Sequence, residues 1–319
     1  MIDIYGTIGP ACAALKTLKA MFAEGMTGMR LNTSHITVKE AAPQLRMIRE
    51  AAAACGVVPR ILIDMQGPEL RIGNLAAPMQ LENGMQVAFG ADTGYIPVPE
   101  PVRQVLRGGM EVLLDDGLIL LEMQDQRRAI VRRGGVLQSG KSIALPGAEV
   151  TLPAMTAQDL TNIRDAVDLG VTGVMQPFVR SADDLREVRA ALNAAGGEHI
   201  ALLAKIENMA GVANLDSFFG LADEIVIARG DLGNAMPLWE LPRVQKEIAH
   251  RCHEAGMPFM MVTQMLASMM HSAVPTRAEV SDIYNAVCDG ASSVMVTGET
   301  AVGEYPVEVI RYLARTANG

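Results

Sequence analysis

The sequence predicts an α/β protein, a TIM or (β/α)8 barrel with a small β domain inserted after the third strand. Three observations predict it: a regular alternation of strand-like and helix-like segments, a single interruption by short strands and turns, and a composition of 50% hydrophobic but only 4% aromatic residues. A chain of 319 residues with this composition can bury a full aliphatic core.

The strand-like segments are short apolar runs, and segments with helical periodicity separate most of them. Eight such strand and helix units are typical of a barrel. The strand-like segments lie at 2–8, 28–31, 60–64, 173–176, 200–204, 224–228, 258–262 and 293–296, and the helical ones include 16–23, 39–55, 184–194, 242–255, 277–289 and 306–316.

Helix starts carry recognisable caps. Thr156 with Asp159, and Thr276 with Glu279, have the spacing of a capping box, in which each side chain accepts a backbone N–H from the other. We therefore expect Thr276 and Glu279 to cap a helix rather than to form part of a binding site.

The stretch at 74–140 breaks the alternation. It contains short strand-like runs at 79–81, 85–89, 111–114, 118–123 and 128–131, separated by Gly-containing turns. This pattern predicts an inserted β domain at 74–140, which leaves 1–73 and 141–319 for the barrel. What remains is close to the roughly 250 residues of a typical barrel.

Charge and cysteine content exclude several function classes. A net charge of −9 without basic clusters argues against nucleic acid and anionic membrane surfaces as partners. The cysteines Cys12, Cys55, Cys252 and Cys288 form no CxxC pair, the amino terminus has no signal-peptide pattern, and no apolar run reaches about 20 residues. We expect a cytoplasmic protein with reduced thiols.

Two carboxylates follow two successive predicted strands. Glu207 comes after the apolar run 200–203, and Asp231 comes after 225–227. Because the carboxyl ends of parallel strands form one face of a barrel, both acids can converge on a divalent cation. Lys205 nearby suggests an anionic substrate, although on the residues alone an ion pair between Lys205 and Glu207 is an equally good interpretation.

A series of motifs in one order resembles the pyruvate kinase family over essentially the whole chain. A single tetrapeptide would be weak, but the ordered series is very specific. The motifs are Thr7-Ile8-Gly9-Pro10-Ala11, Arg30-Leu31-Asn32-Thr33-Ser34-His35, Ile63-Asp64, Gly67-Pro68-Glu69-Leu70-Arg71, Asp115-Asp116-Gly117-Leu118-Ile119, Leu145-Pro146-Gly147, Phe178-Val179-Arg180, Lys205-Ile206-Glu207-Asn208, Ala228-Arg229-Gly230-Asp231-Leu232-Gly233, Thr263-Gln264-Met265-Leu266, Pro275-Thr276-Arg277-Ala278-Glu279 and Gly298-Glu299-Thr300-Ala301.

The resemblance implies phosphoryl transfer from phosphoenolpyruvate to ADP, giving pyruvate and ATP. Such transfers depend on positioning and on cations around the phosphoryl oxygens. By the resemblance, Glu207 and Asp231 hold Mg²⁺ or Mn²⁺, Lys205 donates to the transferring phosphoryl group, and Arg30 and Arg71 position the phosphate.

The resemblance also assigns the other end of the substrate. The backbone amides of Gly230 and Asp231 bind the substrate carboxylate. Thr263 lies near the methylene carbon, and Thr297 lies beyond it in the route by which the enolate collects a proton.

A K⁺ site is implied as well. Its ligands fall on the side chains of Asn32, Ser34 and Asp64 and on the backbone carbonyl of Met65. The family normally has Thr at that last position, but a carbonyl ligand tolerates the change. Glu69 is the acidic residue associated with K⁺ dependence, where K⁺-independent members tend to carry Lys, so K⁺ activation is expected.

Further expectations come from differences from the family. Pro177 stands where the family has Ser before Phe178, and the insert is shorter than usual. Typical members continue into a C-terminal domain with the effector site. Its absence from this chain predicts no sugar-phosphate or nucleotide regulation and hyperbolic phosphoenolpyruvate saturation. The barrel-to-barrel interface predicts a homodimer.

Two other functions stay open at this point. One is a metal-dependent lyase or aldolase that acts through a pyruvate enolate, since such enzymes place a similar Glu and Asp pair on the same barrel. The other is a non-catalytic paralogue that binds phosphoenolpyruvate. Arg30 and the K⁺ ligands favour the kinase over the lyase, and the retention of Lys205 and Thr263 argues against a pure binder.

Overall fold

The computed structural model describes residues 1–34, 36–90, 94–148, 150 and 152–319. Within these residues eight parallel strands close into a barrel, which confirms the predicted fold class. His35, the last residue of the second motif, lies outside the described residues. In chain order the barrel strands are Asp3–Thr7, Gly28–Asn32, Arg60–Asp64, Gly173–Gln176, Ala201–Ile206, Glu224–Ala228, Phe259–Val262 and Ser293–Met295.

The barrel closes because the first strand pairs with the last, with Asp3 opposite Ser293. All the remaining neighbouring pairs of barrel strands, taken in chain order, are also parallel. The sixth and seventh strands are buried at every residue, as expected for strands covered on both faces. The inner core cluster consists of Tyr5, Leu62, Met175, Leu203, Val226, Ala228, Met260, Val262 and Met295.

Helices follow the strands as the periodicity predicts. Thr156 and Thr276 each cap a helix through a complete capping box with Asp159 and Glu279, so both predicted caps are confirmed. The α-helices are Leu15–Ala23, Ala42–Ala53, Glu100–Val105, Ala157–Asp168, Ala182–Ala194, Met209–Ala213, Arg229–Asn234, Leu241–Glu254, Arg277–Cys288, Gly298–Ala301 and Pro306–Asn318, and the 3-10 helices are Leu215–Phe218, Leu238–Glu240 and Ala267–Met270.

The segment between the third and fourth barrel strands forms two antiparallel sheets. The larger has the order Ile143–Ala144, Glu111–Leu114, Ile119–Met123, Arg128–Arg133 and Gln86–Ala88, and the smaller pairs Met79–Leu81 with Gly135–Leu137. The sequence did not predict Gly135–Leu137, Ile143–Ala144 or the helix Glu100–Val105. These elements have only two to six residues, too few for a clear period.

The chain divides into two compact units. The first comprises Met1–Gly67, Ala154–Arg229 and Pro242–Gly319, and the second comprises Pro68–Pro153 and Gly230–Leu241. The domain boundaries at 74 and 140 stay a prediction. Among the described helices, none combines the length and the apolar character that a membrane span requires.

Candidate active site

The second and third barrel strands carry a group of polar side chains at their carboxyl ends. Asn32 is the last residue of the second strand and lies in register with Asp64, the last residue of the third. Arg30 lies two positions earlier on the second strand, so its side chain shares the face of Asn32. Parallel strands therefore deliver an arginine and a carboxylate to the same edge of the barrel.

Asp64 is the centre of a buried charge cluster. Arg30 donates from Nε to Asp64 Oδ2 at 2.8 Å, and its Nη2 lies 2.6 Å from the same oxygen. Lys205 Nζ lies 3.1 Å from Asp64 Oδ1. Burial disfavours the charged carboxyl group, but the Lys205 ammonium and the Arg30 guanidinium favour it more strongly, so the pKa of Asp64 lies below its ordinary value.

Glu207 belongs to the same cluster and is held from two sides. Its Oε1 lies 3.0 Å from Lys205 Nζ, and its side chain is 1% exposed. Its Oε2 accepts a hydrogen bond of 2.8 Å from the backbone N–H of Phe178. Lys205 thus bridges Asp64 and Glu207, and the predicted pairing of Lys205 with Glu207 is present.

Pro177, which departs from the family pattern, shapes the loop that holds Glu207. The next residue, Phe178, has a φ of 52°, in the left-handed region. A Cβ at Gly67 would lie 2.3 Å from the Pro177 ring, and the φ of Gly67 is +57°. Glycine is therefore required at position 67 for both space and conformation, and Pro177 leaves the Phe178 N–H free to bind Glu207.

The residues assigned to K⁺ lie at the ends of the second and third strands and in the loops that follow them. Asn32 Oδ1 accepts the backbone N–H of Ser34 at 3.1 Å. Thr33 donates to the carbonyl of Asp64 from its N–H at 3.0 Å and from its hydroxyl at 2.7 Å. Met65 is buried, and its N–H donates to Met175 on the fourth strand. The loops after the second and third strands are thus joined, which brings Asn32, Ser34 and Asp64 into one region.

Asp159 holds the loop after the third strand, a role that the sequence did not predict. Asp159 is fully buried, and its two carboxylate oxygens accept the backbone N–H groups of Gln66 and Gly67 at 3.0 Å each. The sequence identified Asp159 only through its capping-box spacing. The second role was hidden because Gly67 and Asp159 are 92 positions apart.

Thr263 and Thr297 follow the seventh and eighth strands. Thr263 has a φ of 73°, and Gln264 after it has a φ of 53°. The N–H of Thr297 donates to the buried carboxylate of Glu299 at 2.7 Å. Both threonines therefore stand at strand ends on the face that carries Asp64 and Glu207.

The remaining predicted site residues belong to the second unit. Gly230 and Asp231 lie in the helix Arg229–Asn234, which begins directly after the sixth strand. Arg71 pairs with Glu69 at 2.7 Å and donates to the carbonyl of Gly140. The joint action of Asp231 with Glu207, and of Arg71 with Arg30, stays a prediction.

The oxygen donors of this region determine whether a divalent metal fits. Within the described ranges there is no group of three or more His, Cys, Asp or Glu side chains that could hold a metal ion. Mg²⁺ is usually held by one or two carboxylates together with water and substrate oxygens. Glu207 is a buried, oriented carboxylate of that kind, so it fits Mg²⁺ or Mn²⁺, and a shared role with Asp231 stays a prediction.

Comparisons with known proteins agree with this arrangement. The family profile "Pyruvate kinase, barrel domain" matches residues 1–310. The chain is 38% identical to the pyruvate kinase of Geobacillus stearothermophilus over 98% of its own length and 56% of that protein. It is 40% identical to human "Pyruvate kinase PKLR" over 97% of this chain and 58% of that protein.

A third relative, the pyruvate kinase of Leishmania mexicana, is 37% identical over 98% of this chain and 65% of its own length. The chain thus spans between 56% and 65% of the length of these relatives. A profile that matches nearly the whole chain, together with a closed barrel that carries several of the motifs at its strand ends, leads to one conclusion: this chain belongs to the pyruvate kinase family.

Proposed function

We propose that this protein transfers the phosphoryl group of phosphoenolpyruvate to ADP, giving pyruvate and ATP. The observation that supports this most directly is the buried cluster of Arg30, Asp64, Lys205 and Glu207, whose side chains are at most 13% exposed. Cations fixed in a water-poor site act strongly on charge that develops there. The cluster therefore suits a substrate that carries several negative charges.

The phosphate would be held by Arg30 and Lys205. Both cations are charge-balanced by Asp64 and Glu207 before substrate arrives, so an incoming phosphate finds oriented donors and needs no large rearrangement. During transfer the bond between phosphorus and the enol oxygen breaks, a bond to a β-phosphate oxygen of ADP forms, and the enolate keeps the electron pair. Lys205 would donate to the moving group.

A divalent metal would be held by Glu207 and Asp231. When bound, Mg²⁺ or Mn²⁺ neutralises charge on substrate oxygens and stabilises the leaving enolate. The role of Glu207 is to present an oriented carboxylate, which Lys205 and the Phe178 N–H keep in place. The backbone amides of Gly230 and Asp231 would bind the substrate carboxylate, and Arg71 would assist with the phosphate.

The final step is protonation of the enolate at carbon. The enolate electron pair forms the new C–H bond, and the proton donor is then reprotonated from solvent. Thr263 and Thr297 are assigned to this route. Their positions after the seventh and eighth strands agree with it.

A second copy of the chain as a partner, through the barrel, stays a prediction from the resemblance.

The test is pyruvate formation from phosphoenolpyruvate and ADP with Mg²⁺ and K⁺, coupled to lactate dehydrogenase. Lys205→Met removes the cation that bridges Asp64 and Glu207, so we expect a loss of turnover of about 10²-fold or more. The matched control is Lys246→Met, which breaks an exposed ion pair with Asp289 and should leave turnover unchanged.

Thermal unfolding is measured on both variants, because Lys205→Met leaves buried carboxylates with one partner fewer. Wild-type protein that binds phosphoenolpyruvate with metal but forms no pyruvate would overturn the proposal. Cleavage of oxaloacetate or a 4-hydroxy-2-oxoacid would then identify a lyase, and binding alone would identify a non-catalytic paralogue.

A further inference from the structure

The backbone after the seventh strand adopts an unusual conformation. Thr263 and Gln264 both have a positive φ, 73° and 53°. This region is unfavourable for residues with a side chain, and a β-branched residue such as Thr is rare there. Such a conformation persists only where surrounding contacts impose it. The contacts that hold Thr263 therefore have a specific structural task.

Arg229 supplies such a contact. Its Nη2 donates to the backbone carbonyl of Thr263 at 2.7 Å and lies 3.0 Å from the sulfur of buried Met265. Arg229 is itself buried, at 8% exposure. The Arg229 side chain thus extends from the end of the sixth strand to the loop after the seventh. It binds that loop at Thr263, which has the highest φ among the non-glycine residues described.

Asp282 fixes the other half of the guanidinium group. Arg229 Nη1 lies 2.9 Å from Oδ1 and 2.7 Å from Oδ2 of Asp282, on the helix Arg277–Cys288. The Oε1 of Gln245 lies 3.5 Å from the same nitrogen. The planar guanidinium can hold a carboxylate and a carbonyl at once, whereas the ammonium of lysine has no such fixed fork.

The buried Nε of Arg229 has no hydrogen-bond partner within the part of the chain that the structure describes. Buried donors are normally satisfied, because an unpaired one is costly. Both terminal nitrogens of Arg229 are nevertheless engaged, one by Asp282 and the other by the carbonyl of Thr263. Its position is therefore set by these two groups, which indicates that Arg229 serves to fix their geometry rather than to add general stability.

We infer that Arg229 and Asp282 are positioning residues that hold Thr263 in its left-handed conformation, and so set where its hydroxyl stands when the enolate is protonated at carbon. This inference rests on the proposed function and deepens it. It concerns the proton step, because Arg229 contacts Asp282 and the carbonyl of Thr263, whereas Arg30 and Lys205, which would hold the phosphate, contact Asp64.

The test separates proton transfer from substrate binding. Deuterium incorporation into the methyl group of pyruvate is followed by NMR in D₂O, with Mg²⁺, K⁺ and inorganic phosphate present. Steady-state constants for phosphoenolpyruvate are measured in parallel. The variants are Arg229→Lys, which keeps the charge but not the fork, and Asp282→Asn, which keeps the shape but not the charge. Asp289→Asn, at the end of the same helix, is the matched control.

We expect both variants to lower methyl-proton exchange and kcat by about tenfold or more, since a displacement of about 1 Å can cost roughly 100-fold. The KM for phosphoenolpyruvate should change by less than about threefold, because ground-state binding is untouched. Asp289→Asn should exchange protons at the wild-type rate. If Arg229→Lys does not fold, Asp282→Asn carries the test.

Four results would count against the inference. Unchanged methyl-proton exchange in both variants, with an active wild-type protein, would overturn the inference but not the proposed function. A loss that appears only in KM, or only as a lower melting temperature with kcat intact, would overturn it as well. A wild-type protein that neither forms pyruvate nor exchanges its methyl protons would overturn the proposed function first, and the inference with it.

Discussion

Glu224 is the first residue of the sixth barrel strand, and its carboxyl group is buried beside two serine hydroxyls. Ser292 and Ser293 donate to its Oε1 at 2.8 and 2.6 Å. Burial raises the pKa of Glu224, and the hydroxyls and Arg60 only partly oppose this. Asp64, at the opposite end of its strand, has a lowered pKa because two cations contact it. Carboxyl groups at the two ends of the barrel therefore have pKa values shifted in opposite directions.

The pKa of Glu224 predicts a pH-dependent stability. A carboxyl group whose folded-state pKa is raised stabilises the folded state at pH values below its unfolded pKa, and this contribution is lost as the pH rises through the folded pKa. Each unit of pKa shift corresponds to about 1.4 kcal/mol. We therefore expect Glu224→Gln to gain stability relative to wild type as the pH rises from weakly acidic to neutral.

The measurement is urea unfolding of both proteins across that pH range. Glu187→Gln, a change at an exposed helix position, is the control and should track wild type at every pH. A stability difference between Glu224→Gln and wild type that does not vary with pH would contradict the prediction.

At the scale of elements, one helix organises the loops that carry the predicted K⁺ ligands. In the helix Ala157–Asp168, Asp159 binds the backbone at Gln66 and Gly67. Asn162, one turn later, accepts the N–H of Val38 at 3.1 Å. Both side chains are fully buried. The helix thereby restrains the loops after the second and third strands, next to the predicted K⁺ ligands.

These restrained loops make K⁺ activation testable. Amide, hydroxyl, carboxylate and carbonyl oxygens suit a hard cation, and the proposed set is Asn32, Ser34, Asp64 and the Met65 carbonyl. We expect much higher turnover in K⁺ than in a buffer of a large organic cation free of Na⁺ and K⁺. Comparable turnover in the two buffers would contradict the assignment.

Glu69→Lys is the matching variant. A lysine there places a fixed positive charge where K⁺-independent members of the family carry one, so the variant should lose its requirement for K⁺. Because Glu69 pairs with Arg71, Arg71→Gln is the control for loss of that ion pair and should keep whatever K⁺ dependence wild type has.

At the scale of the whole molecule, folding sorts the four cysteines by reactivity. Cys12 and Cys252 are buried, Cys55 is half-buried and Cys288 is exposed. Burial raises the pKa of the Cys12 thiol to about 11 and that of Cys252 to about 12. Because the thiolate is the reactive form, both buried thiols should be inert in the folded protein.

We therefore expect an aromatic disulfide reagent to modify Cys288 quickly in the native protein and all four cysteines after unfolding in guanidinium chloride. Cys288→Ser should remove the fast phase, and Cys55→Ser, the control, should leave it intact. A fast phase that survives Cys288→Ser would show that another cysteine reacts quickly, and would contradict the prediction.

Local pattern was enough to predict much of this protein. The alternation of strand and helix periods predicted the barrel, the turn-rich stretch predicted the insert, and residue spacing predicted the boxes at Thr156 and Thr276. Glu207 and Lys205 were also identified locally, because strand ends and their polar residues are adjacent in the chain. Short elements such as Glu100–Val105 were missed because they are too brief to show a period.

Contacts between distant residues depended on tertiary structure. Arg229 and Asp282 are 53 positions apart, and Lys205 and Asp64 are 141 apart. No local periodicity relates residues at such separations, and only the closed barrel brings them within hydrogen-bond distance. The sequence by itself determined the fold class and the family; the tertiary structure decided which charges meet, because burial and pairing across strands set their distances and their pKa values.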